Sequence, residues 1–552
     1  MEPKFHLSRL EHERTKTDYI FCRFPRIGGR NDGTLLLLAA DALDAKKLSR
    51  ELNNLGAKFP DGASFVPTCT KLIEQISEQV GTLTDSPGWK EEAGIRYFVM
   101  PDKTYWPEKA LKEVQVEEAA TERCLARRVG GTLAEWKTQV AQLAAGSPHA
   151  SIAILASLAA PLHYWSSIKE GFVLNFPGAS STGKTTANQC AASVWGDPSD
   201  SGTWNATPRH LVERAVSNND IVLILDDAEQ ADTDIAKRMA TIHEYTHLLA
   251  GGRSKGYARS VSGQLPDYTF RNIVLSSSPV PIEDRMRDRG IERTNGDRAR
   301  SLEIPVLSDG GIWRKIDGSS GPESPGQLSD FLVTACKQQF GTAGRAWIEY
   351  LVSEQAQLGA LVARYTAKFR ERSKVNDGVE GRIADKIALL LAAGQLAIKA
   401  GILPWDKSHL KNVTRFALEQ VLVTARQREP LTAHELLGKF LKTLYRDNNI
   451  EKARSVREAR VPLVIPLIVG ESLFMPQRAF ESALHTEAEP LSISAQDLKM
   501  IYDVLRDNKI MAPGEGSTNT KTIRFRGNTK ARVLQINEIK LKSFLKKHGI
   551  KF

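Results

Sequence analysis

The chain is poor in cysteine and has no long apolar run. Its five cysteines are odd in number and far apart, and none forms a C-x-x-C pair. This usage argues for a reducing compartment and against a structural zinc site. No stretch approaches about 18 apolar residues without a charge, and the first residues lack the apolar centre of a signal peptide. Repeats and low-complexity tracts are also missing. The sequence therefore predicts a cytoplasmic protein with no membrane partner.

Positive charge is concentrated at one end of the chain. The 552 residues carry a formal net charge of +10. Residues 521–552 contain ten basic side chains and a single acid, Glu538. The phosphate backbone of a nucleic acid is the natural partner of such a patch. A solvated, disordered basic tail is the alternative, and the alternation of apolar residues through the segment favours a folded element.

Residues 178–185 read Gly-Ala-Ser-Ser-Thr-Gly-Lys-Thr and fit the phosphate-binding pattern G-x-x-x-x-G-K-[ST]. Glycines let the backbone N–H groups surround phosphates. Lys184 is expected to reach the β- and γ-phosphates of ATP, and the Thr185 hydroxyl to ligate Mg²⁺. The predicted nucleotide-binding residues are Gly178, Ser180, Ser181, Thr182, Gly183, Lys184, Thr185 and Thr186.

The flanking sequence has the form that this chemistry needs. Residues 171–176 form a short apolar run typical of a buried parallel strand, and residues 186–195 predict a helix closed by Gly196. The positive N-terminal end of that helix would face the anion. The alternative is a Gly/Ser-rich surface turn that happens to contain a lysine.

Two carboxylates follow a second predicted strand. Residues 221–225 are apolar, and Asp226 and Asp227 come directly after them. Ligands bind at the carboxyl ends of strands in open α/β sheets. We expect Asp226 to hold the Mg²⁺ shell and Asp227 to orient or deprotonate the attacking water. A strand followed by a solvated acidic turn is the alternative.

Residues further along supply weaker candidates for catalysis. A third predicted strand, with the apolar run 270–275, ends in three serines. Ser277, at the tip of this strand, is a candidate for contacting the attacking water and γ-phosphate, although an ordinary strand-ending turn is equally compatible. Arg298 and Arg300 are candidates for an arginine finger that a neighbouring subunit supplies. Surface arginines on a loop are the alternative for each.

A glycine-rich basic stretch lies between the second and third of these strands. Residues 251–259 contain Arg253, Lys255 and Arg259 among glycines. This composition suits a mobile loop that grips DNA phosphates in a ring pore, and it equally suits a plain solvated loop.

The chain divides into four predicted units. They are an N-terminal α/β module (1–145), a parallel-sheet core (146–312), a helical lid or bundle (328–430) and a basic module (431–552), with a linker at 317–327. The first unit has predicted strands at 18–24 and 34–38 and predicted helices at 45–55, 70–80 and 118–143; a buried helix is predicted at 151–165.

The last unit combines an amphipathic helix with a basic hairpin. The helix is predicted at 494–510 and the two strands at 522–526 and 531–536, with apolar and basic residues alternating along the first strand. This combination resembles a winged helix, a DNA-binding unit. Its predicted DNA contacts are Lys521, Arg524, Arg526, Lys530 and Arg532.

Residues 87–422 resemble the bacterial domain of unknown function 927. The resemblance rests on the following residues: Pro87-Gly88-Trp89 with Phe98-Val-Met-Pro101-Asp102, the 178–186 loop with Ala192-Ser-Val-Trp195-Gly196, Trp204, Thr207, Leu225-Asp-Asp227, 252–255, Gly381-Arg382 and Gly401-Ile-Leu-Pro404-Trp405. That family is similar to AAA+ ATPases near the superfamily 3 and minichromosome-maintenance helicases, and its members occur on phages, plasmids and chromosomal islands.

The resemblance implies a ring, expected to be a homo-hexamer, that moves on single-stranded or forked DNA using ATP and Mg²⁺. Two departures concern the end of the third predicted strand, the candidate contact to the attacking water and γ-phosphate. Ser276–Ser278 replace the asparagine usual at this place in superfamily 3. Ser278-Pro279 stands where the family tends to have Gly-Glu. No primase signature is present, so a primase or an initiator partner would be a separate chain.

Two functions remain open from sequence. The first is an ATP-dependent DNA helicase or translocase in the replication of a phage or mobile element. The second is an ATP-regulated, origin-binding initiator or DNA-binding NTPase that does not unwind. A small-molecule P-loop kinase fits poorly, because it explains neither the helical region nor the basic end.

Overall fold

In the part of the chain that the structure describes, the fold contains four β-sheets and a large number of helices. A computed structural model describes residues 5–28, 32–59, 64–231, 235–254, 268–287, 294–313, 325–375, 378–425, 432–446, 450–459, 466–488, 495–515 and 518–550. None of the helices in these ranges has both the length and the apolar character that crossing a bilayer requires. All five cysteines lie buried and free of disulfides.

The N-terminal region pairs a mixed five-stranded sheet, of order β3-β2-β1-β4-β8, with a small antiparallel sheet, of order β5-β6-β7. Its elements are β1 His6–His12, β2 Asp18–Phe24, β3 Gly33–Leu38, α1 Ala39–Ala42, α2 Ala45–Asn54, α3 Phe65–Glu74, β4 Val80–Thr84, β5 Gly88–Glu92, β6 Ile95–Val99, β7 Thr104–Tyr105 and β8 Val114–Val116. The predicted strands at 18–24 and 34–38 and the helix at 45–55 are confirmed.

The helix predicted at 70–80 is wrong in its limits. The helix α3 starts at Phe65, because Pro67 lies in its first turn, where no intrahelical N–H donor is needed. It ends at Glu74, and Val80 opens β4, which runs parallel to β1. Pairing with a strand far away in sequence therefore overrides the local helical pattern.

The long helix predicted at 118–143 is divided into short pieces. They are α4 Glu118–Arg123, a 3₁₀ turn Leu125–Arg127, α5 Leu133–Glu135, a π-helix Trp136–Ala141 and α6 Gln142–Ala144. The break has a cause in its contacts, since the backbone N–H of Leu125 donates to Asn218 Oδ1 at 2.8 Å and Gly131 adopts a φ of +71°. The next helix, α7 Pro148–Ala159, is buried along its whole length and passes into a 3₁₀ turn, Pro161–Trp165.

The central sheet is entirely parallel, as predicted, with the order β10-β11-β12-β9-β13. Its elements are β9 Phe172–Pro177, α8 Lys184–Trp195, β10 Gly202–Thr203, α9 Pro208–Ser217, β11 Leu223–Asp226, α10 Ile235–Gly251, β12 Ile273–Ser278, α11 Ile282–Arg287, α12 Asn295–Arg300 and β13 Ser301–Glu303, with 3₁₀ turns at Pro198–Asp200, Ala228–Ala231 and Gly311–Trp313.

The three serines 276–278 form the end of β12, as the sequence predicted, although the strand begins at Ile273 and not at residue 270. They are only 2–3% exposed, and each hydroxyl has a partner. Ser276 Oγ accepts from Trp204 Nε1 at 2.9 Å, Ser277 Oγ donates to Asp226 Oδ1, and Ser278 Oγ accepts from Asn175 Nδ2 at 2.9 Å. Hydrogen bonding within the sheet thus makes polar residues compatible with a buried strand.

A group of helices follows the sheet and shares its core. Its helices are α13 Pro325–Gln338, α14 Thr342–Ser353, α15 Gln355–Ser373, α16 Val379–Lys399 and α17 Lys407–Ala425. One cluster of buried residues extends from Trp89 to Leu422 and includes α7, α8, the sheet and these helices. Of the predicted linker, 317–324 lie outside the described residues, and Pro325 begins α13.

The N-terminal region is tied to the central sheet by a buried carboxylate. Asp220, which is fully buried, accepts from the backbone N–H of Trp89 at 2.9 Å and from Arg271 Nε and Nη2 at 2.8 and 2.7 Å. Gly88 has a φ of +103°, and a Cβ there would lie 2.5 Å from Asn219 Nδ2. This close approach explains the glycine in the Pro-Gly-Trp sequence.

The C-terminal region has its own sheet, of order β14-β15-β16-β18-β17, and its own core. Its elements are α18 Ala433–Arg446, β14 Glu451–Ala453, β15 Leu467–Val469, β16 Ser472–Met475, α19 Gln477–Ala488, α20 Ala495–Asp507, β17 Lys521–Arg524, a 3₁₀ turn Arg526–Asn528, β18 Lys530–Asn537 and α21 Glu538–Lys547. The predicted helix and antiparallel hairpin are confirmed. As a whole, the molecule is a mixed α/β fold with parallel strands and many helices.

Candidate functional site

The 178–185 segment joins the buried strand β9 to the helix α8. All six residues of β9 are buried, whereas Ala179, Ser180, Ser181 and Thr185 are exposed. Gly183 is the N-cap of α8 with a φ of +90°. The strand, loop and helix therefore stand in the order that the sequence predicted.

Two glycines of the loop allow close backbone approach. A Cβ on Gly183 would lie 2.7 Å from Ile312 Cγ1, and a Cβ on Gly178 would lie 2.4 Å from the carbonyl oxygen of Val306. The backbone N–H of Ile312 also donates to the carbonyl oxygen of Thr182 at 3.0 Å. The segment after β13 therefore holds the loop from one side.

The side chain of Lys184 is hydrogen-bonded to the backbone of its own loop. Its Nζ donates to the carbonyl oxygens of Gly178 and Ala179 at 2.7 and 2.6 Å. Burial lowers the pKa of this lysine, and the carboxylates of Asp226 and Asp227 partly offset the effect. The ammonium group is thus held between backbone oxygens, within the field of two carboxylates.

Asp226 and Asp227 lie at the carboxyl end of β11, next to Ser277 on β12. Asp226 Oδ1 accepts from Asn188 Nδ2 at 2.9 Å and from Ser277 Oγ. The backbone N–H of Asp227 donates to Ser277 Oγ at 3.2 Å, and Gln230 Nε2 donates to Asp227 Oδ2 at 2.9 Å. Ser277 is therefore a bridge between the two acidic residues.

These groups line one cavity of about 980 Å³. Its lining includes residues 180–186, Asp226, Asp227 and Ser277. The far wall is formed by the start of α13 and by Ser308, Gly310, Gly311 and Trp313. Gly178, Arg298 and Arg300 are not part of the lining. The hydroxyl of Thr185 and the carboxylate of Asp226 are oxygen ligands of the kind that Mg²⁺ prefers.

Sequence reasoning missed Asn188 and the wall of the cavity. Asn188 lies one helical turn after Lys184, so the i,i+4 spacing was the available signal. The wall residues, which include Trp313, Ser329 and Asp330, carry no comparable pattern. Only the tertiary fold brings them to the loop.

The two candidate finger arginines lie at the opposite end of the sheet. Arg298 is 5% exposed. Arg300 Nε pairs with Glu170 Oε2 at 3.1 Å, just before β9 begins. Lys386 Nζ and Arg382 Nη1 lie 3.6 and 4.0 Å from Glu170 Oε1. Burial lowers the pKa of Lys386 to about 8, against the attraction of Glu170. Three cations thus surround one carboxylate.

The predicted DNA-binding side chains fall into two groups. Arg253 is exposed at the end of α10, and its backbone forms a bridge with Thr269; Lys255 and Arg259 lie outside the described residues. In the hairpin, all five predicted residues are exposed: Lys521, Arg524, Arg526, Lys530 and Arg532.

Cross-strand pairing sorts the hairpin side chains by face. Arg524 is opposite Lys530 and Thr522 is opposite Arg532, so these side chains share one face. Ile523 and Ala531, which are opposite each other, pack against a small apolar cluster on the other face. The hairpin therefore presents a basic face outward, while its apolar face packs on the module.

Comparison with known proteins supports the predicted resemblance. Residues 11–264 match the model of a domain of unknown function (DUF927). This match confirms the resemblance over 87–264 and begins earlier than predicted, whereas 265–422 lie outside it. No curated protein matches the chain. Among solved structures, "SCCmec type IV Cch - active helicase" is similar, with a TM-score of 0.57 and 15% identity over 98% of this chain and 94% of that chain. At this identity the similarity establishes a shared fold.

Proposed function

We propose that this DUF927-containing chain is an ATP-dependent DNA helicase or translocase that acts as a ring in the replication of a phage or mobile element. The observation that carries the proposal is the cavity that brings Lys184, Asp226, Asp227 and Ser277 together at the carboxyl end of a parallel sheet. This is where phosphoryl-transfer machinery is expected in an AAA+ ATPase core.

Each residue of the cavity has a role in the proposed hydrolysis. The backbone of 180–183 and the ammonium of Lys184 bind the phosphates of ATP. Thr185 and Asp226 hold Mg²⁺, which supplies charge neutralisation at the phosphates when it is bound. Asp227 orients the attacking water and accepts its proton. Ser277 fixes the relative positions of the two carboxylates.

The location of Arg300 supports a ring. Arg300 stands across the sheet from the cavity of its own chain, so an Arg300 finger would act on a nucleotide bound to a neighbour. We favour it over Arg298, because a side chain that is only 5% exposed cannot reach a second subunit without local rearrangement. A ring of identical chains repeats this head-to-tail contact; six copies remain our prediction.

Mixing two inactive variants tests the shared site. Lys184→Ala chains keep Arg300, and Arg300→Ala chains keep Lys184, so random mixing restores about a quarter of the composite sites. We expect ATPase activity to reappear on mixing. Arg415→Ala is the matched control, because Arg415 is an exposed arginine that also faces a glutamate. Activity in Arg300→Ala alone, or none after mixing, would contradict a finger in trans.

The proposed track is DNA, bound by the basic hairpin of a winged-helix-like C-terminal module and by Arg253, Lys255 and Arg259. The similar solved structure is described as an active helicase, and this description supports unwinding over a purely regulatory ATP site. Strand displacement on forked DNA tests the choice. We expect ATP-dependent displacement that Lys184→Ala abolishes. ATP hydrolysis without displacement on forks of either polarity would favour the non-unwinding initiator.

A further inference from the structure

A cluster of metal-ligand side chains lies outside the proposed ATP site. His243 and His247 are one turn apart on α10, so their side chains share a face of the helix. Asp297 approaches them from α12. One ligand atom from each of the three residues lies within 4.8 Å of the others. The three side chains therefore converge on a single point between two helices.

The distances suit a tetrahedral ion. Ligand atoms about 2.0–2.1 Å from a tetrahedral Zn²⁺ lie about 3.3 Å from one another. His243 Nε2 is 3.4 Å from Asp297 Oδ1. His247 Nε2 contacts the same oxygen directly, and a small rotation of its ring would give the same spacing. The spacing between His243 and Asp297 is thus that of two ligands on one zinc ion.

Asp297 is held with one oxygen turned toward the histidines. Its Oδ2 accepts from the backbone N–H and the hydroxyl of Thr294 at 2.9 and 2.6 Å, which caps α12. The other oxygen, Oδ1, is directed at both imidazoles: it lies 3.4 Å from His243 Nε2 and contacts His247 Nε2.

An ion from solvent can reach this cluster. The side chains of His243 and His247 are 45% and 37% exposed. They line an open pocket of about 460 Å³ together with Glu244 and Arg253. Residues 243–247 read His-Glu-Tyr-Thr-His, which fits the H-E-x-x-H pattern of helical zinc sites. The short pattern alone does not establish a zinc site, because its histidines supply only two ligands. Asp297, on the facing helix, supplies the third.

We propose that His243, His247 and Asp297 bind a zinc ion that links α10 to α12. Two imidazoles and one carboxylate favour Zn²⁺ over Mg²⁺ or Ca²⁺, which prefer oxygen ligands alone. Three protein ligands leave a fourth position for water. The ion holds α12 against α10. Arg300 is the last residue of α12, and α10 is the helix that follows Asp226 and Asp227 in sequence. This site is independent of the proposed ATP site, and it differs from the cysteine-based zinc sites that the sequence argued against.

Cobalt binding by the full chain tests the site. Co²⁺ replaces Zn²⁺ and gives a visible absorption when it is four-coordinate. After removal of metals, we expect the wild-type chain to bind Co²⁺ with this absorption and Zn²⁺ to displace it. The double variant His243→Ala/His247→Ala should lose the signal, and Asp297→Asn should weaken binding by about tenfold or more.

A second histidine pair provides the matched control. His434 and His548 stack with ring centroids 4.4 Å apart, so His434→Ala/His548→Ala removes two neighbouring histidines elsewhere in the chain. This variant should keep the absorption. Circular dichroism shows whether each variant is folded, and Zn²⁺ should raise the melting temperature of the wild type but not of the His243/His247 variant. Equal cobalt binding by both double variants, or none by the wild type, would overturn the site.

Discussion

Three consecutive serines on β12 allow the role of Ser277 to be isolated. Ser276, Ser277 and Ser278 are equally buried, but their hydroxyl groups have different partners. Only Ser277 touches the acidic pair, donating to Asp226 and accepting from the backbone of Asp227. Replacing each serine by alanine removes one hydroxyl at a time at nearly constant burial. The series therefore separates a local effect on the carboxylates from a general effect of polar burial.

The expected size of the effect follows from the bonds that are lost. A hydrogen bond to a charged group contributes about 1.5–3 kcal/mol. If that energy is fully expressed when the phosphate is attacked, Ser277→Ala lowers kcat by about 10- to 150-fold. Lys184 and the 180–183 backbone, which would bind the phosphates, stay in place, so KM should change little. Steady-state ATPase kinetics measure both values.

Ser276→Ala gives the opposite pattern. It leaves the indole N–H of the buried Trp204 without its acceptor, which costs about 1–3 kcal/mol of folding free energy. We expect a lower urea midpoint with an unchanged kcat. If Ser277→Ala hydrolyses ATP at the wild-type rate, or if Ser276→Ala loses kcat equally, the assignment of Ser277 to the catalytic group is refuted.

Two further predictions concern the N-terminal junction and the hairpin. Gly88→Ala should destabilise the chain by about 2 kcal/mol or more, because a Cβ there meets Asn219 at 2.5 Å in addition to the cost of a positive φ. The control is Gly94→Ala, where φ is also positive but no atom lies within 4 Å of the added Cβ. Urea denaturation should show for it only the cost of the positive φ, about 1–2 kcal/mol. Arg524→Gln/Lys530→Gln should reduce the salt slope of DNA binding by about 2, because each phosphate contact contributes about one unit; an unchanged slope would remove the hairpin from the DNA interface.

Local patterns predicted the centre of the fold well. The apolar run before the 178–185 segment and Gly196, after the following helix, are local signals. They correspond to the observed strand β9 and to the end of α8. The helix at 118–143 failed because its interruption depends on Asn218, almost a hundred residues away. The helix at 70–80 failed because β4 is chosen by pairing with β1. In both regions a long-range contact overrides propensity.

The same contrast between local signals and long-range contacts applies to the candidate site. Lys184 and Asp226 could be predicted because each lies within a few residues of the end of a predicted strand. The metal-ligand cluster was not found, since its histidines are neighbours on one helix but Asp297 comes from a separate helix 50 residues after His247. The serine triplet was predicted at a strand end, but the partners that explain its burial, Asn175, Trp204 and Asp226, come from other parts of the chain.

The wall of the cavity suggests how a bound nucleotide would affect the helical region. Trp313 Nε1 donates to Ser329 Oγ at 2.8 Å, and both residues line the cavity. Ser329 belongs to α13, whose inner face joins the core shared by the sheet and the other helices. A ligand that fills the cavity therefore contacts both the 178–185 loop and α13. Because a packed core transmits a displacement rather than absorbing it, changes at the phosphates would reach the helices through α13 without a separate hinge.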